Sequence, residues 1–411
     1  MLVLISDLHL TDGSSGETIN CGAFEKFTLC LEGMAEKAQA NNVEVVFLGD
    51  ILDLIRSDYW LKSKIRPWSR EEERDNEGKT LKEYTLEIVK RIRENGTNLK
   101  SINYLKDFKG RMKEKGIAVR FTYLIGNHDW LINRYDEVRV GVTRFLDLGE
   151  YNENIPFRTS AFWEGYQVFA RHGDIFDPFN FDGQRDDSSL GDAIVIDLVN
   201  KFSKSVEDEI GCYQDPNLIY NLKEIDNVRP LIDIPLWIQG VCQRAKSKEI
   251  AEKVKEVWNN LVDDFLKIDF VQRHDRSWQI DIVDGLQLGL KISKYLSFKN
   301  IRNLPLRKLV KEEDDYKDKA LNEEYLQKNK AKFVVYGHTH NYTMVPLDLV
   351  LREEEVFQKI YFNTGTWRKV QVQTFKKDQK FLSWSVMTFI AFYLEGERKD
   401  KQFEIWNGAL G

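Results

Sequence analysis

Cysteine, net charge and long apolar runs are all scarce in this chain of 411 residues. The four cysteines are scattered and form no CxxC pair, which argues against a disulfide framework or a thiolate zinc site and favours a reducing compartment. The net charge of −6 provides no overall basic field to attract nucleic acid. A local basic groove is still compatible with this total, so nucleic acid stays open as a partner.

The apolar runs are too short to cross a membrane. Phe381–Leu394 falls short of the roughly 20 residues that a spanning helix needs, and Ser383, Ser385 and Thr388 interrupt it. We interpret this stretch as a buried strand. The apolar run at the N-terminus meets Asp7 too early for a signal peptide. These patterns predict a cytoplasmic chain with no transmembrane segment.

Strand-like and helix-like segments alternate in the first and last parts of the chain. Short apolar runs at Leu2–Ser6, Val43–Leu48, Val119–Ile125 and Phe333–Tyr336 have the character of buried strands, whereas Ala23–Ala40 repeats apolar residues at helical spacing. Strands that alternate with helices predict an α/β fold in layers, with a largely parallel portion.

Two long intervals interrupt this alternation. The first, at about 56–118, is charged and helix-prone, and the second, at 184–330, contains a helix face that runs from Ile250 to Phe265. We therefore predict a core domain formed by residues 1–183 and 331–411. Residues 184–330 are predicted to form a mainly helical insertion or cap.

Five polar clusters each follow a strand-like run directly. They are Asp7-Leu8-His9, Gly49–Asp53, Gly126–Asp129, His172-Gly173-Asp174 and Gly337–His340. Because the carboxyl ends of neighbouring strands meet at one edge of an open α/β sheet, we expect these clusters to converge there.

The clusters contain nearly all the histidine of the chain. Five of the six histidines lie in them, namely His9, His128, His172, His338 and His340, while His274 is predicted to be a surface or structural residue. Imidazole, carboxylate and amide oxygen together suit a borderline divalent cation such as manganese, iron or zinc. About seven converging groups indicate two cations that share a bridging carboxylate and a hydroxide, an apparatus suited to hydrolysis of a phosphate ester.

In their order along the chain, the motifs DLH, GDILD, GNHD, HGD and GHTH resemble those of the calcineurin-like metallophosphoesterase superfamily. The resemblance implies a four-layer αββα sandwich with a large helical insertion and two divalent transition metal ions, first of all Mn²⁺, with Fe or Zn as alternatives. The style of the motifs is similar to the branch that contains UDP-2,3-diacylglucosamine pyrophosphatase. That branch typically has arginine where His128 stands, and it lacks so large an insertion.

The resemblance also implies roles for nine residues. The ligands of the first metal would be Asp7, His9 and His340, those of the second Asn127, His172 and His338, with Asp50 bridging the two. The catalytic pair would be His128, which protonates the leaving oxygen or steadies the transition state, and Asp53, which orients His128.

Several substrate classes remain open. Leu54 stands where protein serine/threonine phosphatases of the superfamily carry arginine, which argues against protein dephosphorylation. Arg134, Arg171 and Arg368 are close to motif residues and are candidates for binding a second phosphate. The leading hypothesis is hydrolysis of a phosphodiester or pyrophosphate that is a small molecule or linked to lipid. The alternatives are a nuclease that acts on DNA or RNA and a non-catalytic scaffold on the same fold.

Overall fold

A computed structural model of the chain describes residues 1–149, 155–211, 214–229, 234–274, 314–351, 356–374, 380–399 and 401–410. The strands in these ranges are β1 (Leu2–Ile5), β2 (Asn42–Leu48), β3 (Ala118–Leu124), β4 (Ser160–Trp163), β5 (Val168–Arg171), β6 (Val228–Arg229), β7 (Phe333–Tyr336), β8 (Tyr342–Leu351), β9 (Val356–Thr364), β10 (Lys369–Gln373), β11 (Phe381–Phe392) and β12 (Phe403–Ala409).

The strands form two sheets. The first has the order β3-β2-β1-β11-β10-β6, with β12 paired to β11, and the second has the order β4-β5-β7-β9-β8. Strands β1, β2 and β3 are parallel to one another, as are β5, β7 and β9. The remaining pairings are antiparallel, except that β6 lies parallel to β10.

The α-helices span Cys21–Ala38, Leu81–Glu94, Gly96–Glu114, Leu131–Arg134, Asp136–Leu146, Leu190–Ala193, Lys201–Ile210, Pro216–Leu222, Ile234–Cys242, Lys248–Phe265, Asp269–Arg273, Asp314–Leu321 and Glu324–Gln327. A π-helix spans Ile194–Asn200, and short 3-10 helices span Asp58–Lys62, Glu164–Tyr166, Asp174–Phe176 and Ile225–Asn227. Local sequence accounts for several helix starts. Thr80 and Glu83 form a capping box at one start, and the side chain of Asn95 caps the next helix.

The alternation of side chains along β1 decides how the layers pack, because successive residues point to opposite faces of a strand. Val3 and Ile5 share a buried core with Phe24, Phe27 and Phe108 from the first long helices. One face of the first sheet is therefore covered by helices.

The other face of the first sheet packs against the second sheet. Leu2 and Leu4 of β1 share a second buried core with Val168, Val335 and Phe362 of β5, β7 and β9. The far face of the second sheet, with Val334 among its residues, packs against the two helices within residues 314–327. The layers follow the order helix, sheet, sheet, helix, which confirms the predicted αββα sandwich.

The segment between β5 and β7 has an apolar core of its own. Phe202, Trp237, Trp258 and Val262 are buried there together, and β6 joins this segment to the first sheet through β10. The part of the predicted insertion at 275–313 lies outside the described residues, and the domain boundaries near 184 and 330 stay predictions. Among the helices that the structure describes, none has both the length and the apolarity to cross a membrane.

Candidate metal centre

The five polar clusters converge, but they come from two sheets. Clusters after β1, β2 and β3 belong to the first sheet, and those after β5 and β7 belong to the second. The sequence predicts a single sheet edge, and on this point it is wrong. The clusters of the two sheets nevertheless meet, since His172 Nε2 lies 3.1 Å from Asp50 Oδ2 and the backbone N of His338 donates to Asp7 Oδ2 (3.0 Å).

The backbone at the clusters is strained. Nine described residues other than glycine have positive φ, and five of them are predicted ligands. These five are Asp7 (52°), His9 (47°), Asp50 (54°), His338 (71°) and His340 (61°). The left-handed region costs a residue with a Cβ roughly 1–2 kcal/mol. A structure that keeps such strain in one place indicates a functional site.

A first group of donors consists of Asp7, His9 and His340. Asp7 Oδ2 accepts hydrogen bonds from the backbone N of His338 (3.0 Å) and from the hydroxyl of Ser6. Its other oxygen, Oδ1, is buried and accepts no hydrogen bond. This oxygen lies 3.3 Å from His340 Nε2 and 3.9 Å from His9 Nε2. The free oxygen and the two ring nitrogens therefore face one another across a small space.

A second group consists of Asp50, Asn127, His172 and His338. The Nδ1–H of His172 donates to the carbonyl of Leu48 (2.9 Å), which leaves the lone pair on Nε2. That Nε2 is buried and makes no hydrogen bond, although it lies 3.1 Å from Asp50 Oδ2. His338 Nδ1 lies 3.0 Å from Asn127 Oδ1. The donor atoms of Asp50, His172 and His338 all lie within 4.8 Å of one another.

Asp50 lies between the two groups. Its Oδ1 accepts a hydrogen bond from the backbone N of His128 (2.8 Å), so the orientation of the carboxylate is fixed. Its Oδ2 lies 3.1 Å from His172 Nε2 and 3.8 Å from His9 Nε2. One oxygen thus faces a nitrogen of each group, as a bridging carboxylate requires.

The chemistry of these donors fits divalent cations. Asp7 Oδ1 and His172 Nε2 are buried without a partner, and each such atom costs free energy unless something binds it. The Nε2 atoms of His9 and His340 lie 3.0 Å apart, and two lone pairs at that distance repel unless a proton or cation lies between them. Burial disfavours the charged form of His172, but Asp50 and Asp7 outweigh it and raise its pKa to about 10. The cluster therefore attracts positive charge.

Asp53 joins two histidines. Its Oδ1 lies 2.9 Å from His128 Nδ1, and its Oδ2 lies 2.9 Å from His9 Nδ1. Both contacts occupy Nδ1, so Nε2 is the ring nitrogen of each histidine that can bind a cation or donate a proton. Burial opposes protonation of His128, yet Asp53 and Asp50 raise its pKa to about 10. Asp53 thus orients His128 and favours its protonated form.

Glycines before the ligands were not singled out from the sequence. A Cβ at Gly126 would lie 2.7 Å from the backbone N of Asp50, and one at Gly337 would lie 2.6 Å from Asp7 Oδ2. Both distances are too short for a Cβ contact. The signal was present, since glycine directly precedes Asn127 and His338 in their motifs.

The three arginines predicted to bind substrate are paired with carboxylates. Arg134 Nε lies 2.7 Å from Glu71, and Arg171 Nε lies 2.9 Å from Glu323. Arg368 Nη1 donates to Asp226 Oδ2 and also lies 3.9 Å from Asp53. Asp226 belongs to the segment between β5 and β7, which we call the intervening segment. Of the three, Arg368 has an ion-pair contact with a residue of the predicted catalytic pair.

Asp177 was missed as an individual residue. Its Oδ2 lies 3.0 Å from His338 Nε2, so it can fix the orientation of a predicted ligand. Asp129 accepts hydrogen bonds from the backbone N of Ile51 and of Gly126, which is a structural role. His274 contacts the carbonyl of Phe270 and belongs to neither donor group.

The comparisons with known proteins agree with this geometry. The family model for the calcineurin-like phosphoesterases matches residues 1–342, a range that includes all five clusters. A search among curated proteins found no match. The chain belongs to the calcineurin-like phosphoesterase family.

Proposed function

We propose that the chain hydrolyses a phosphodiester or a pyrophosphate at a site that holds two divalent transition metal ions, with manganese as the first choice. The observation that carries this proposal is the position of Asp50, whose Oδ2 lies between His9 Nε2 and His172 Nε2. Membership of the calcineurin-like phosphoesterase family supports the class of reaction.

Seven side chains would hold the cations. Asp7, His9 and His340 would bind the first, Asn127, His172 and His338 the second, and Asp50 both. Cations bound there would supply Lewis acidity toward phosphate oxygens and would activate water for in-line attack.

His128 would act on the leaving oxygen. The carboxylate of Asp53 accepts the Nδ1–H of His128, so the protonated ring presents its Nε2–H as the proton to be donated. The side chain of His128 is 14% exposed and that of Asp53 is fully buried. The proton donor therefore reaches the surface of the site, while the group that charges it is kept from water.

A general acid contributes most when the leaving group is a poor one, as in diesters. The absence of arginine after Asp53 supports this class over phosphoproteins. The carboxylates paired with Arg134, Arg171 and Arg368 weaken the electrostatic attraction of these groups for a polyanionic nucleic acid. A small or lipid-linked substrate is therefore favoured over DNA or RNA.

The test is a screen with protein that has been stripped of metal and reloaded with Mn²⁺, Fe²⁺ or Zn²⁺. The substrates are p-nitrophenyl phosphate, bis-p-nitrophenyl phosphate, nucleotide sugars and single-stranded DNA. We expect metal-dependent cleavage of at least one diester or pyrophosphate, with loss of turnover in Asp50→Asn.

Asp147→Asn is the matched control. Asp147 also has positive φ (54°), but it is paired with Lys109 away from the donor groups. The control should keep wild-type turnover. Undiminished cleavage by Asp50→Asn, or a wild type without metal-dependent activity on any substrate, would overturn the proposal.

A further inference from the structure

Charged side chains connect the intervening segment to Asp53. Asp226 belongs to the stretch that leads into β6, and Arg368 directly precedes β10, its partner strand. Arg368 is 5% exposed and Asp226 8%. The pairing of β6 with β10 therefore brings a buried carboxylate of the intervening segment next to a buried guanidinium of the sandwich.

Arg368 lies between two carboxylates but bonds to one. Its Nη1 donates to Asp226 Oδ2 at 3.0 Å, whereas Asp53 Oδ2 is 3.9 Å away, beyond hydrogen-bond distance. Asp53 Oδ2 is the oxygen that holds His9 Nδ1 at 2.9 Å. The guanidinium is thus near enough to balance the charge of Asp53 while the bond to His9 stays intact.

A guanidinium is a stronger partner for a carboxylate than a neutral imidazole is. Without Asp226, Arg368 would gain a charge-assisted hydrogen bond by moving about 1 Å toward Asp53 Oδ2, given the usual length of such bonds. Oδ2 would then share its negative charge between two donors, which weakens its bond to His9 and shifts the carboxylate toward Arg368. Arg56 cannot replace Asp226 in this role, because it is itself a cation, 3.8 Å from Asp226.

We propose that Asp226 and Arg368 are a positioning pair for the metal centre, in which Asp226 restrains Arg368 so that Asp53 keeps hold of His9. The inference rests on the proposed function for its meaning, since it concerns a ligand of the first cation. The intervening segment thereby takes part in building the site.

Metal affinity tests this inference without relying on turnover. Mn²⁺ is titrated into metal-free wild type and variants by calorimetry, and folding is checked by circular dichroism. Asp226→Ala frees Arg368, and we expect the affinity of one of the two cations to fall roughly tenfold, the usual scale for a group that orients a metal ligand. Asp226→Asn keeps an acceptor in place and should lose less.

The double variant Asp226→Ala/Arg368→Met distinguishes loss of the restraint from a general disturbance of the fold. If Asp226→Ala loses metal affinity because the guanidinium of Arg368 is freed, replacing Arg368 by Met should restore most of that affinity. An unchanged affinity in Asp226→Ala, or a double variant that binds as weakly as Asp226→Ala or more weakly, would refute the restraint. If Asp226→Ala does not fold, Asp226→Leu, which also removes the acceptor but fills more of the space, carries the test, and wild-type affinity in that variant refutes the proposal.

The control Lys369→Met removes an ion pair between the same two parts of the chain. Lys369 Nζ lies 3.8 Å from Glu224, and neither residue is among the contacts of Asp53. Wild-type metal affinity is expected for this variant. A loss equal to that of Asp226→Ala would show that docking of the segment, not restraint of Arg368, is what matters.

Steady-state kinetics distinguish a positioning role of Arg368 from direct binding of substrate. If Arg368 bound a second phosphate, Arg368→Met would raise KM for a pyrophosphate substrate, and that result contradicts the inference. At saturating Mn²⁺ we expect an unchanged KM. A wild type that binds two cations but hydrolyses nothing would refute the proposed function and leave the affinity test of Asp226 in force.

Discussion

Asp53 offers the most discriminating test of the candidate catalytic pair, because its two oxygens serve two different histidines. Asp53→Asn keeps one oxygen as an acceptor and replaces the other by an NH₂ group. The oxygen should take the Oδ1 position, because Oδ1 accepts hydrogen bonds from the backbone N of Arg56 (3.0 Å) and from His128 Nδ1 (2.9 Å). The NH₂ group then takes the Oδ2 position and faces the Nδ1–H of His9, donor against donor.

The size of the effect follows from the bond that is lost. A hydrogen bond to a charged group contributes about 1.5–3 kcal/mol, which corresponds to roughly 10- to 150-fold in affinity at about 1.4 kcal/mol for each factor of ten. We expect the affinity for one of the two Mn²⁺ ions to fall by that factor in Asp53→Asn, because His9 loses its acceptor. The fall in kcat at saturating Mn²⁺ should be smaller, because His128 Nδ1 keeps its acceptor.

The assay combines steady-state kinetics at saturating Mn²⁺ with calorimetric titration of the metal-free protein. Asp197→Asn is the control, since Asp197 is a buried carboxylate that is ion-paired to Arg66 outside the donor groups. It reports the general cost of neutralising a buried aspartate. If Asp53→Asn kept wild-type metal affinity, or lost kcat more strongly than metal affinity, our assignment of Oδ1 to His128 and Oδ2 to His9 would be wrong.

Three further outcomes are expected. Gly126→Ala should lose Mn²⁺ binding at the second group in calorimetry, because its Cβ would lie 2.7 Å from the backbone N of Asp50; retained binding would contradict the close packing. Removal of metal by a chelator should lower the Tm, and Mn²⁺ at a hundred times its Kd should restore about 2.7 kcal/mol for each site; a Tm independent of Mn²⁺ would count against the site. Burial raises the pKa of Asp192 to about 6, above its value in an unfolded chain, so its contribution to stability is complete below about pH 4 and is lost as the pH rises through 6. Asp192→Asn should therefore raise the Tm more at pH 8 than at pH 5, and an equal gain at both would refute the shift.

The sequence predicted those parts of the structure that have a local cause. Apolar runs located β1, β2, β3 and β7 to within a residue or two, because a strand that is covered on both faces is mostly apolar. Helical spacing located Cys21–Ala38 for the same kind of reason. Strands β4, β6, β8 and β10 were not predicted. Each is short or partly exposed, so it lacks the continuous apolar run that marks a buried strand.

In the candidate site, too, residues in local motifs could be predicted, whereas contacts between distant residues could not. The predicted ligands stand in motifs that can be recognised one by one, and the structure brings their donor atoms together. The contact of Asp177 with His338 joins residues 161 positions apart, and that of Arg368 with Asp226 joins residues 142 positions apart. No local pattern specifies such pairs, since they follow from the packing of a loop or of the intervening segment onto the sandwich. Supporting residues are therefore harder to predict than the ligands they support.

The strain and the unpaired atoms at the centre have a common consequence. Five predicted ligands hold left-handed backbone conformations, at roughly 1–2 kcal/mol each, and buried Asp7 Oδ1 and His172 Nε2 lack partners. These backbone conformations and unpaired atoms are unfavourable by themselves, so the packing of the two sheets must hold them in place. Because the backbone already holds this conformation, we expect cations to bind without first ordering the loops, so that their binding energy would add to the stability of the fold. The same reasoning predicts where the chain opens first without metal: the loops after β1, β2 and β7 should exchange their amide hydrogens faster than the strands they follow, and Mn²⁺ should slow that exchange.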